Sequence, residues 1–125
     1  MTDKKVIADR LRAEMGYYYG TENYYNVHSY FFKFTDGIKA FCEKAGAYWL
    51  LDLINSIFFE HKYRQKMNSD LIVIDLKVDD KDSAVISFKD SDGVFYEQGI
   101  PFTDCPMGDW KFYYDSGVLM WNGEY

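Results

Sequence analysis

Cysteine and histidine are scarce in this chain, with two of each in 125 residues, and long apolar runs are missing. Cys42 and Cys105 lie far apart and form no C-x-x-C pair, which argues against a disulfide framework and a zinc ribbon and leaves two reduced thiols. Neither His28 nor His61 has a ligand partner at helical or hairpin spacing, so no metal site and no cofactor are expected. No stretch of about 18 apolar residues exists, and the opening "MTDKKVIADRLRAEM" carries charge where a signal peptide needs its apolar region. The expected location is therefore cytoplasmic. A G-x-S-x-G elbow, a Walker loop and a dinucleotide fingerprint are all absent. Cys42 sits on a buried helical stripe, where cysteine acts as a small hydrophobe. An enzyme is not the expected class.

Aromatic residues, by contrast, are abundant. They make up 20% of the chain, and nine of them fall between Tyr17 and Phe34 in "YYYGTENYYNVHSYFFKF". A stacking platform for single-stranded nucleic acid pairs such rings with a cationic groove, yet this segment holds only Lys33 as a base, so direct nucleic-acid binding is not expected. Tyrosine also suits protein interfaces, because it offers rigid area with a polar tip. Tyr17, Tyr18 and Tyr19 cannot all point inward, and together with Tyr24 and Tyr25 they are candidates for a protein contact. A homodimer that hides these rings is a further option. The charge is uneven: residues 1–65 carry nine basic against eight acidic side chains, and residues 66–125 carry five against twelve. The first part is thus at +1 and the second at −7, which sum to the net −6, and partners of the second part must tolerate negative charge.

Apolar spacing predicts a helix over residues 3–15, from Ile7, Leu11 and Met15, with Thr2 as N-cap and Gly16 as stop. The aromatic segment has no clean period and reads as irregular, with a helical turn or short strand near Tyr30–Phe34. A second helix spans 36–45, with Ile38, Phe41, Cys42 and Ala45 on its buried face, Thr35 or Asp36 as cap and Gly46 as terminator. The segment 47–62 is apolar around most of its circumference and reads as a central third helix. From residue 70 the period changes to two, in "LIVIDLKV", "SAVISFK", "VFYEQGI", "DWKFYYD" and "GVLMW". The expected fold is one α+β domain over 1–125, with about three helices (residues 1–65) packed on one face of a four- or five-stranded antiparallel meander sheet (residues 70–125).

Two further residue groups are candidates for function. Asp79, Asp80, Asp82, Asp90 and Asp92 sit in hairpin turns; gathered at one end of a meander they would imitate a row of phosphates, although aspartate also suits turns for local reasons. Asp52 interrupts the apolar third helix and, with Trp49 and Asn55, is a candidate pocket for a small molecule or substrate. The tripeptide Phe-Thr-Asp occurs twice, at 34–36 and 102–104. The first site is expected to cap a helix and the second to sit in a turn bracketed by Pro101 and Pro106, so both read as structural.

Four stretches occur in an order that resembles a known family: "GTENYY" (Gly20 to Tyr25), "FTDGIKAFCEKAGAYWLLDLI" (Phe34 to Ile54), "QGIPFTDCPM" (Gln98 to Met107) and "GVLMWNGEY" (Gly117 to Tyr125). The family comprises small bacterial proteins, found also on plasmids and phage-like elements, and is known only as a domain of unknown function. The resemblance spans roughly residues 20 to 125. The chain departs from it at Cys105, where an aromatic is usual, and at Trp121-Asn122-Gly123. It implies no catalytic residue. With the acidic second half and the tyrosines, it leads to the expectation of a non-enzymatic protein-binding domain. The sharper form is a phage or mobile-element inhibitor of a CRISPR-type, nucleic-acid-directed defence complex.

Overall fold

The computed structural model describes residues 3–68 and 71–125. Four helices, α1 (Lys4–Met15), α2 (Asp36–Ala45), α3 (Trp49–Ile57) and α4 (His61–Met67), accompany seven strands: β1 (Tyr24–Asn26), β2 (Lys33–Thr35), β3 (Ile72–Val78), β4 (Ala84–Asp90), β5 (Gly93–Ile100), β6 (Gly108–Asp115) and β7 (Val118–Trp121). The strands form one sheet in the order β1-β2-β7-β6-β3-β4-β5. The architecture is α+β. No helix among the described residues is long and apolar enough to cross a membrane.

Local chemistry sets the limits of the first two helices. Thr2 lies outside the described residues; the cap of α1 is Asp3, whose carboxylate accepts from Lys5 N at 2.9 Å. In α2, Thr35 Oγ1 accepts from Ile38 N, and Gly46 closes the helix at φ 64, the left-handed conformation that costs glycine nothing. Ile38, Phe41 and Cys42 are fully buried beneath it.

The expected third helix is in fact two. Phe58, 1% exposed, turns into the core to stack on Phe31 at 5.3 Å and meet Tyr114 edge-on at 5.7 Å. Phe58 keeps helical dihedrals and continues the buried stripe of Leu51 and Ile54, so the break comes after it. The carbonyl freed at Phe58 accepts from Arg64 Nε at 2.7 Å, and Glu60 adopts an extended conformation before α4 begins.

The expected meander is also corrected. β3, β4 and β5 follow one another, but β6 pairs antiparallel with β3 rather than β5. The five strands of the second half are joined by β1 and β2 from the aromatic segment, and β2 runs parallel to β7, so the sheet is mixed. Burial explains the order. Trp110, Phe112 and Tyr114 of β6 are 0–1% exposed and need the centre of the sheet, whereas the loosely alternating β5 tolerates the edge. Residues 101–107 accordingly form a crossing rather than a hairpin turn. Thr103 N bonds Asp82 O at 2.8 Å, Thr103 Oγ1 accepts from Cys105 N at 3.1 Å, and Pro106 O accepts from Trp110 Nε1 at 2.8 Å.

The inner face of the sheet, with Ile72, Ile74, Leu76, Ile86, Phe88 and Leu119, forms the core. The outer face places opposite charges side by side, Asp75 across from Lys111 and Lys77 across from Asp109, with Lys89 Nζ 3.6 Å from Asp75. Such cross-strand pairs suit a face left to solvent.

Candidate functional site

In the segment between α1 and β1, residues 21–23 are held by two carboxylates at the N-terminus of α2, while Tyr17 N and Tyr18 N bond to Glu14 O and Met15 O at the end of α1. Asp36 Oδ2 accepts from the backbone N–H groups of Glu22 (3.3 Å) and Asn23 (3.0 Å) and from Asn23 Nδ2 (3.4 Å), while Oδ1 accepts from the Tyr25 hydroxyl at 2.8 Å. Glu124, far along the chain, accepts from Thr35 Oγ1 (2.6 Å), Thr21 Oγ1 (3.0 Å), Gly37 N (3.1 Å) and Trp121 N (2.9 Å). Free N–H groups and the positive end of the helix dipole favour both anions. The Tyr25 hydroxyl, followed by the Asn23 and Glu22 amides, holds the Asp36 carboxyl below its ordinary range. The stabilisation this gives is complete above about 3.9 and is lost as pH falls through the lowered value.

Against this support lies a cleft of about 620 Å³, lined by Tyr17, Tyr18, Tyr19, Tyr25 and Glu22, with Asp36, Lys39 and Glu43 supplied by α2. Tyr17 and Tyr19 are 80% and 81% exposed. Tyr18 is half-buried against the core, and a Cβ on Gly123 would come within 2.6 Å of its carbonyl, so only glycine lets the Asn122–Glu124 turn pass. Tyr25 stacks on Phe34 with centroids 5.6 Å apart, and the Lys39 ammonium lies 4.7 Å from the centre of the Tyr25 ring.

Four of the five candidate tyrosines therefore meet in one place. Tyr24 does not line the cleft: it alternates with Tyr25 along β1 and faces away. The negative charge of the cleft comes from Glu22, Asp36 and Glu43, which were not singled out from the sequence as binding residues. Their signal was nonetheless present on α2, where Asp36, Lys39 and Glu43 recur at helical spacing beside the buried stripe. Glu124 and Gly37 had no such local signal.

The acidic turns are not gathered at one end. Asp79, Asp80 and Asp82 join β3 to β4, while Asp90 and Asp92 lie where β4 turns into β5, and successive hairpins turn at opposite ends of a sheet. Several of these carboxylates have local work. Asp79 accepts from Lys81 N, Ser83 N and Ser83 Oγ, and the Ser83 hydroxyl leads the downward shift of its carboxyl. Lys4 pairs with Asp82 at 3.1 Å and Lys66 with Asp90 at 3.0 Å, the latter holding the Asp90 carboxyl low.

Trp49, Asp52 and Asn55 share α3, but the polar groups of Asp52 and Asn55 fasten the preceding loop. Asp52 Oδ1 accepts from the Tyr30 hydroxyl at 2.5 Å; Asn55 accepts from Phe31 N at 2.9 Å and donates to Ser29 O at 3.4 Å. Trp49 Nε1 is buried with no hydrogen-bond partner among the described residues. Asp36, Asp52 and Asp104 do not converge: Asp36 opens α2, and Asp104 packs against Gly46 at its far end, about 15 Å along the helix axis. Both cysteines are buried, which pushes their thiols up to about 12.

Burial, with the Asp52 bond adding to it, also pushes the Tyr30 hydroxyl up to about 12, and burial alone does so for Tyr114. Spectrophotometric titration of the tyrosines should resolve a late class near that value, and Tyr30→Phe should shrink it. Groups raised in the folded state favour folding below the unfolded value of about 10, and that contribution is lost as pH climbs through about 12. A single titration class near 10 would contradict both placements.

A protein-family model described as a family of unknown function (DUF6876) matches residues 9–125. It thus reaches further toward the N-terminus than the four motif stretches, taking in most of α1. No curated protein and no solved structure matches the chain. Thr21, Asn23, Tyr25, Thr35, Asp36, Gly37 and Glu124, joined by hydrogen bonds beside the cleft, all lie within the matched span, and the chain belongs to this family of unknown function, DUF6876.

Proposed function

We propose that the chain is a non-enzymatic protein-binding domain and that the tyrosine-lined cleft is its contact surface. The observation that carries this reading is the pairing of two free-standing rings, Tyr17 and Tyr19, with a support tied down by Asp36 and Glu124. Exposed aromatic rings on a fixed backbone give contact area at little entropic cost, as binding hot spots require. Buried thiols with raised pKa values are poor nucleophiles, which favours binding over covalent catalysis. The narrower reading, inhibition of a nucleic-acid-directed defence complex through a phosphate-like row of aspartates, loses support because the turns are divided between two ends of the sheet.

A photo-crosslinking residue placed at Tyr19 should give discrete protein adducts in the cells that encode the chain. The same residue at Val85, exposed on the open sheet face, should not. Adducts to a second copy would identify the partner as the chain itself. No adduct at Tyr19, or the same adducts from both positions, would overturn the reading.

A further inference from the structure

The lining of the cleft restricts what its partner presents. Three carboxylates, Glu22, Asp36 and Glu43, stand against a single ammonium, Lys39. Asp36 is occupied by Tyr25 and Asn23, which leaves the exposed Glu22 and Glu43 to face an incoming group, although Glu43 also accepts from the Tyr48 hydroxyl at 3.1 Å. The rings add a second preference, since the face of an aromatic ring attracts cations through its quadrupole. The chain already displays this preference within the cleft, where Lys39 sits 4.7 Å over Tyr25. It does so elsewhere too, with the Arg12 guanidinium 4.5 Å over Trp110 and the Arg64 guanidinium 5.4 Å over Phe31. Lys39 is thus an internal occupant of a site suited to positive charge. An anionic partner would meet repulsion from the same walls.

We propose that the cleft receives an arginine side chain carried on an exposed loop of the partner protein, a reading that rests on the cleft being a protein-binding surface. Tyr17 and Tyr19 stack on the guanidinium plane while Glu22 and Glu43 accept its N–H groups. Arginine is favoured over lysine because its flat fork matches both a ring face and a carboxylate, and because it sheds water more readily than an ammonium.

The test is fluorescence anisotropy with three labelled peptides of one length, alternating glycine with arginine, lysine or glutamate. The arginine peptide should bind most tightly, the lysine peptide more weakly and the glutamate peptide least. The double variant Tyr17→Leu/Tyr19→Leu, which changes no charge and alters only exposed side chains, should weaken arginine-peptide binding by about five- to thirtyfold. Lys39→Gln removes the internal competitor and should tighten it by about two- to fivefold. Unchanged binding by the tyrosine double variant would mean general attraction to a chain of net charge −6, and would overturn the proposal. Weaker binding by Lys39→Gln, or a glutamate peptide binding as well as the arginine one, would do the same. A Tyr19 adduct whose yield is not reduced when the arginine peptide is added before irradiation would refute the arginine assignment and leave the protein-binding reading standing. Absence of any cross-linked partner would refute that reading itself.

Discussion

Phe41→Ala is expected to lower stability by about 3–5 kcal/mol, a large share of the roughly 5–15 kcal/mol that holds a domain of this kind together. Phe41 is 0% exposed, and its ring is shared by three elements of the sheet and its cover: the centroid lies 5.4 Å from Trp110, 4.9 Å from Phe112 and 5.8 Å from Trp121. Alanine leaves a cavity walled by indole and phenyl rings, which cannot collapse into it without leaving their own rotamers. The Trp110 ring is further fixed by its bond to Pro106 O and by Arg12 above it. Urea unfolding should therefore show a much lower midpoint with little change in slope. Phe102→Ala is the matched control, since that ring is 67% exposed and its loss should stay within about 0.5 kcal/mol. Comparable losses for the two variants would mean that α2 does not cover the sheet at Phe41.

Gly37→Ala is the second large effect. An added Cβ would lie 2.3 Å from Glu124 Oε1, 2.6 Å from its Cδ and 2.8 Å from Trp121 Cβ. Overpacking of this kind costs about 1–3 kcal/mol, and pushing Glu124 aside also strands the donors of Thr35, Gly37 and Trp121. Hydrogen bonds to a charged group contribute about 1.5–3 kcal/mol. The signature is a double-mutant cycle. Glu124→Ala should be destabilising by itself, and Gly37→Ala should cost less in that background, with a coupling of about 0.5–3 kcal/mol. Some cost should remain, because Trp121 is still in the way. Strict additivity would show that Glu124 does not sit against Gly37.

The two effects differ in how visible they are in the sequence. Phe41 lies on an i, i+3, i+4, i+7 stripe, and the ends of α2 follow from Thr35 and Gly46, all within one short window. Local signals also located the five strands of the second half. Their order was beyond reach, because β6 leaves β5 to pair with β3 for reasons that involve Trp110, Phe112 and Tyr114 together with the whole inner face. The break after α3 carried no signal either: Phe58 continues the stripe of Leu51 and Ile54 in helical conformation, and the chain leaves the helix only at Glu60, where no glycine or proline marks a stop. For the cleft, the exposed tyrosines could be anticipated from three in a row. Glu124 could not, since a carboxylate that accepts from Thr21, Thr35 and Gly37 looks in sequence like any polar residue.

The parallel pairing of β2 with β7 also bears on the order of events during synthesis. Phe34 finds its neighbour at Leu119, and Gly37 and Thr21 find theirs at Glu124. Contacts between such distant residues carry the largest loop-closure cost and form late. A chain emerging from the ribosome can wind α1 and α2 early and set Asp36 against Glu22, Asn23 and Tyr25, but Glu124 reaches Thr21, Thr35 and Gly37 only after residues 118–124 have been made. On the proposed reading, a partner therefore meets the fully braced cleft only once the sheet is complete.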